Sequence, residues 1–204
     1  MAQLINTLRN ISGLQDNIVD WNNAAVLFVD YQNEYVDGIL SLGKAGKTAL
    51  GKAEKLLENA RSKNVPIFHI LQKASSTSSV FNCDSPLSDA VDCIKPNDNE
   101  TVIHKTLPNS FFKTDLEEML HLTGRKQLII LGFMSHMCVT ATTIRAVELG
   151  YDVIVCEDAC ATRPLPDKNG NSIVQDLIHL VSMAALNDRY ASIQPLHNLV
   201  EVVN

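Results

Sequence analysis

Four runs of consecutive apolar residues recur along the chain: AAVLFVD (Ala24–Asp30), VPIFHIL (Val65–Leu71), KQLIILG (Lys126–Gly132) and YDVIVCED (Tyr151–Asp158). Unbroken Val/Ile/Leu runs, as opposed to apolar–polar alternation, indicate strands covered on both faces. Two weaker strands are expected at ETVIHKT (Glu100–Thr106) and ASIQP (Ala191–Pro195). Between them, helix-like spacing predicts helices over Lys47–Lys63, Thr114–Leu122, Val139–Leu149 and Ser172–Asn187. Gly124 and Gly150 stand where two of these helices would end. Strands alternating with helices imply βαβ crossovers, hence a three-layer α/β fold with a mostly parallel sheet and helices on both faces.

Two stretches lack this pattern. Lys73–Asn99 is polar, irregular and too long for an ordinary connection, which makes it a candidate lid or oligomer contact. Residues 1–20 precede the first strand and are read as an arm of unknown role. No repeat or interdomain linker is visible, so residues 1–204 are expected to form a single domain.

Composition narrows the partners. Seventeen basic and twenty-three acidic side chains give a formal charge of −6 with no Lys/Arg cluster, which argues against nucleic acid or an anionic membrane. No apolar run approaches the ~20 residues of a membrane span. The amino-terminal stretch lacks the pattern of a signal peptide. Five cysteines, an odd number in a chain too large to need disulfide staples, point to a reducing cytoplasm.

Ligands of open α/β sheets bind beyond the carboxyl ends of the strands. Asp30, Lys105 and Cys138 all fall at such ends. Taken singly, each has an ordinary reading: a turn-starting aspartate, an exposed lysine, a packed cysteine. Together they place an acid, a base and a thiol on one edge. Burial would raise the pKa of Asp30 toward useful base strength, and Lys105 beside it would orient the carboxylate and hold a nearby thiolate. A helix amino-terminus near Cys138 would lower its thiol pKa. SLGKAGKT (Ser41–Thr48) departs from a phosphate-binding loop at its first position and is read as a loop leading into a helix. His136 and Cys138 have no second pair at zinc-ligand spacing, so no metal is expected. His136 ranks below Asp30 as a base for the thiol.

Three segments carry a family resemblance. VLFVDYQNEY is similar to a first-strand motif ending D-x-Q-N-x-[FY]. HKTLPNSFFKTDLEEML is similar to K-x-x-x-[SN]-[AS]-F-x-x-T-x-L. LGFMSHMCVTATTIRAVELGYDVIVCEDACAT matches C-V-x-x-T-x-x-x-A followed by G-Y-x-V and D-A-x-A. The chain thus resembles the isochorismatase-like cysteine hydrolases, a group that includes nicotinamidases, N-carbamoylsarcosine amidases and ureide amidases.

The resemblance implies a six-stranded, Rossmann-like sheet and a catalytic triad of Asp30, Lys105 and Cys138. It further implies a cis peptide between Phe133 and Met134, an oxyanion hole of the Met134 and Cys138 amides, and a homo-oligomer, dimer or larger. Gln32, Tyr35, Phe111, Phe112 and Met137 lie near the motifs and are candidate pocket walls. The segment FHILQKASSTSS lacks the Asp-x-His metal pair of nicotinamidases, which argues against a metal and against nicotinamide. The presence of Cys138 argues against isochorismate, whose hydrolases dispense with the cysteine. The expected substrate is a small amide, carbamoyl or ureide compound, with no cofactor. The competing readings are an isochorismatase- or nicotinamidase-type hydrolase and a non-catalytic, oligomeric ligand-binding member of the fold.

Overall fold

The structure, a computed structural model, describes residues 5–200. Six parallel strands form its sheet: β1 (Ala24–Val29), β2 (Ile67–Gln72), β3 (Thr101–Lys105), β4 (Gln127–Gly132), β5 (Asp152–Cys156) and, last in the chain, β8 (Ser192–Gln194). Their order across the sheet is β3-β2-β1-β4-β5-β8. Every residue of β1 and β4 is buried, as their unbroken apolar sequence requires of strands packed on both faces. Because β1 is central and pairs with both β2 and β4, the chain leaving its carboxyl end enters the crevice where strand order reverses.

The helices are α1 (Leu8–Ile11), α2 (Gly43–Ser62), α3 (Leu116–Thr123), α4 (Thr140–Glu148), α5 (Gln175–Arg189) and α6 (Leu196–Leu199). Four boundaries depart from the sequence reading. Helix α2 begins at Gly43, so most of SLGKAGKT forms its first turns and not a loop. Helix α3 starts two residues late, after Thr114 and Asp115. Helix α4 is preceded by a wide π-helical turn, Ser135–Val139, which contains Cys138. Residues Ser172 and Ile173, expected in a helix, instead form β7, which pairs antiparallel with β6 (Leu165–Pro166). The hairpin has only two residues per strand, too few for period-2 alternation to register.

Lys73–Asn99 contains only short 3-10 turns and isolated bridges, consistent with its irregular sequence. Of the arm, residues 1–4 lie outside the described residues. Its remainder carries α1, and Arg9 is buried there, donating from Nη2 to the Gln15 carbonyl and to Ser192 Oγ of β8. Among the described residues, no helix is long and apolar enough to cross a membrane.

Candidate active site

Asp30 is the first residue beyond β1, and its backbone turns into the left-handed region with φ 55°. Aspartate tolerates that region better than most side chains, and the turn bends the carboxylate out of the strand direction. Lys105 ends β3, two strands away, and its side chain is fully buried. Cys138 sits six residues past β4. Gly132 makes the link possible: at φ 143° it lies so close to β1 that a Cβ there would overlap the Val29 carbonyl. The following Phe133–Met134 peptide is cis.

The three side chains meet. Lys105 Nζ lies 2.7 Å from Asp30 Oδ2 and donates to Gln72 Oε1 at 2.8 Å and to Cys138 Sγ at 3.4 Å. An ammonium has three N–H groups, and here each has one anionic or polar neighbour. Neither Asp30 oxygen has a well-aligned hydrogen-bond donor, so the approach of Nζ is an ion contact. Gln72 is itself pinned by Gln32: the Gln72 N–H donates to Gln32 Oε1, and Gln32 Nε2 donates to the Gln72 and Ser88 carbonyls.

Burial dominates the electrostatics. It raises the Asp30 pKa above the usual carboxylate value despite the opposing pull of Lys105. Burial alone would depress Lys105, yet the neighbouring Asp30 and Cys138 outweigh it and its pKa is raised. For Cys138, burial and then the neighbouring Asp30 push the thiol pKa well up, overcoming Lys105. This reverses the lowering expected from a helix amino-terminus. Cys138 lies inside the π-helical turn and is buried beside an anion, and the penalty of a dry second negative charge exceeds the attraction of the dipole.

Cys138 opens onto a cavity of about 250 Å³ lined by Tyr35, Leu40, Gln72, Phe81, Pro108, Met134, Met137 and Arg163. Of the five walls proposed from sequence, Tyr35 and Met137 line it. The other three do not. Gln32 is fully buried and spent on backbone groups, Phe111 packs into the core, and Phe112 points to solvent at 44% exposure. Sequence reasoning missed Gln72, although it ends β2 and satisfies the same carboxyl-end rule that selected the triad. Phe81 and Leu40 come from patternless segments and left no local signal. Arg163 lies two residues past the D-A-x-A motif; its Nε is buried without a partner, while Nη1 donates to the Pro164 carbonyl.

His136 is turned toward Thr162, with Nδ1 2.6 Å from Oγ1, and is not among the lining residues. His69 stacks on Phe28 and bonds Glu100 at 2.8 Å. All five cysteines are free thiols, and Cys156 and Cys160 are buried.

Residues 24–175 match the family model described as "Isochorismatase domain". The uncharacterized isochorismatase family protein YddQ of Bacillus subtilis is 38% identical over 172 residues, covering 83% of this chain and 94% of its own. The ureidoacrylate amidohydrolase RutB of Acinetobacter baylyi is 31% identical over 70 residues, 34% of this chain and 29% of its own. Among solved structures, an isochorismatase from Pseudomonas putida superposes with a TM-score of 0.91 at 32% identity, covering 97% of this chain and all of that one.

Proposed function

This chain belongs to the isochorismatase family of hydrolases, and on that premise we propose that it is a cysteine hydrolase cleaving a C–N bond of a small amide, carbamoyl or ureide compound. The observation that carries the reading is the meeting of Asp30, Lys105 and Cys138 at the edge of a mostly apolar cavity.

In the resting site the sulfur is a neutral thiol and Asp30 is ionised beside Lys105. Transfer of the thiol proton to Asp30 creates the thiolate without changing net charge, because the negative charge passes between two atoms that both touch Nζ. Burial raises the pKa of both acid and thiol, and the two groups titrate as a pair. The thiolate attacks the substrate carbonyl, and the Met134 and Cys138 amides receive the oxyanion, a contribution of about 3 kcal/mol per donor. Asp30 then protonates the departing amine, leaving a thioester on Cys138. Water, deprotonated by the same carboxylate, attacks the thioester, releases the acid and returns the proton to sulfur.

The cavity's size fits a small substrate, and unpartnered Arg163 Nε favours one with a polar or anionic group away from the scissile bond. Free thiols throughout support a cytoplasmic setting, and the family resemblance supports a homo-oligomer. The experiment is a panel of small amides, carbamoyl compounds, ureides and nicotinamide, assayed for ammonia release. Cys138→Ala is expected to lower turnover of any substrate found by at least about a thousandfold, with the melting temperature nearly unchanged. Activity that survives this substitution would refute the assignment.

A further inference from the structure

The turn that carries Cys138 is a single π-helical turn, a geometry with poor intrinsic stability that is held by its surroundings. Its first residue, Ser135, is fully buried and bound at three points. The Ser135 N–H donates to the Ala161 carbonyl at 2.9 Å, and its own carbonyl accepts from Thr140 Oγ1 at 2.7 Å. Its hydroxyl lies 2.8 Å from Nδ1 of His179, which projects from α5. The first contact comes from the segment after β5 and the second from the first residue of α4. The third comes from a separate helix that supplies no wall to the catalytic cavity.

We propose that His179 is a positioning residue: through Ser135 Oγ it fixes the origin of the π-helical turn and thereby aims Cys138 at Asp30 and Lys105. Burial lowers the His179 pKa, against the opposing pull of Glu157 and Asp176, which keeps the ring neutral and leaves Nδ1 free to accept the hydroxyl proton. Helix α5 is itself anchored by buried Met183 and Leu186, so the imidazole is delivered from a fixed element. His179 also borders a second cavity, of about 190 Å³, lined in part by Cys160, Thr162 and Asp176. His179 is absent from the walls of the cavity beside Cys138, so it acts on the reaction only through Ser135.

The inference rests on Cys138 being the nucleophile, and the test separates the two claims. Full-length wild type, His179→Leu, Ser135→Ala, the double variant and His179→Asn are compared by three readouts. These are kcat and KM on the best amide of the panel, the rate of Cys138 alkylation by iodoacetamide read by mass spectrometry, and melting temperature. Each single loss of the bond is expected to lower kcat and alkylation about tenfold with KM unmoved. The double variant is expected to be no slower than the worse single, because both remove one bond. Asn places an amide where Nδ1 stood and is expected to stay within about threefold of wild type.

Losses that multiply in the double variant, or wild-type rates in His179→Leu, overturn the inference. If His179→Leu does not fold, Ser135→Ala and His179→Asn decide it. An active wild type with unaffected variants sinks this inference alone. A wild type that neither alkylates at Cys138 nor turns over any amide sinks the nucleophile assignment and this inference with it.

Discussion

At the scale of single residues, the candidate site is a lesson in compensated burial. Asp30 and Lys105 are both fully dry, and each is tolerable only because the other is 2.7 Å away. A buried ion pair gives little net stability, but removing one partner strands the other. Lys105→Met is therefore expected to destabilise the fold by about 3–5 kcal/mol in urea denaturation. Asp30→Asn with Lys105→Met is expected to cost less than the sum of the two singles. Additive losses would show that the charges are not coupled.

A second compensated group lies at Glu100. Burial works against its ionisation, yet bonds from Arg61, the Asn97 N–H and His69 hold its pKa down at about 2. A carboxylate depressed from 4.5 contributes stability that is complete above pH 4.5 and is lost as pH falls toward 2. His69, lowered by burial, adds to acid sensitivity from about pH 6.5 downward, since only the unfolded chain accepts its proton readily. Glu100→Gln is expected to lower stability at neutral pH and to flatten its decline between pH 4.5 and 2. A decline as steep as wild type there would assign the acid limb to other carboxylates.

At the scale of elements, the decisive segment runs from β4 through the π-helical turn into α4. Gly132 is where the chain passes within contact of Val29, with no room for a methyl group. Gly132→Ala is expected to destabilise on the order of 3 kcal/mol, combining a clash with backbone and a φ that alanine disfavours. Recovery of wild-type stability would mean that β1 and β4 can separate freely. The sequence of this segment announced a strand, a glycine and a helix, because apolar runs and helical spacing are local properties. It did not announce that five residues between them would wind as a π-helical turn. That geometry depends on partners at Ala161, Thr162 and His179, all remote in the chain. The same limit explains α5, whose start was placed three residues early over a hairpin too short to show a period.

At the scale of the whole molecule, parallel strand order brings three distant positions to one edge. Asp30 leaves the central strand, while Lys105 and Cys138 reach it from opposite sides across β2 and β4. The arm serves another part of the fold: Arg9 ties it to Ser192 at the start of edge strand β8. Arg9→Ala is expected to cost about 1–3 kcal/mol of stability while leaving kcat and KM unchanged, because no described residue of the arm lines the cavity beside Cys138. A change in kinetics equal to the change in stability would connect the arm to the site.

The amino-acid sequence by itself determined the six strands of the parallel sheet, most of the helices and the three residues placed at strand ends. Each of these follows from residue patterns within a short window or from motifs with fixed spacing. Only the tertiary structure decided which side chains share the cavity, that Gln72 and Arg163 are among them while Gln32, Phe111 and Phe112 are not, and that burial beside Asp30 raises the Cys138 thiol pKa. These properties arise from distances between groups far apart along the chain and from the exclusion of water around them, and no local pattern encodes either.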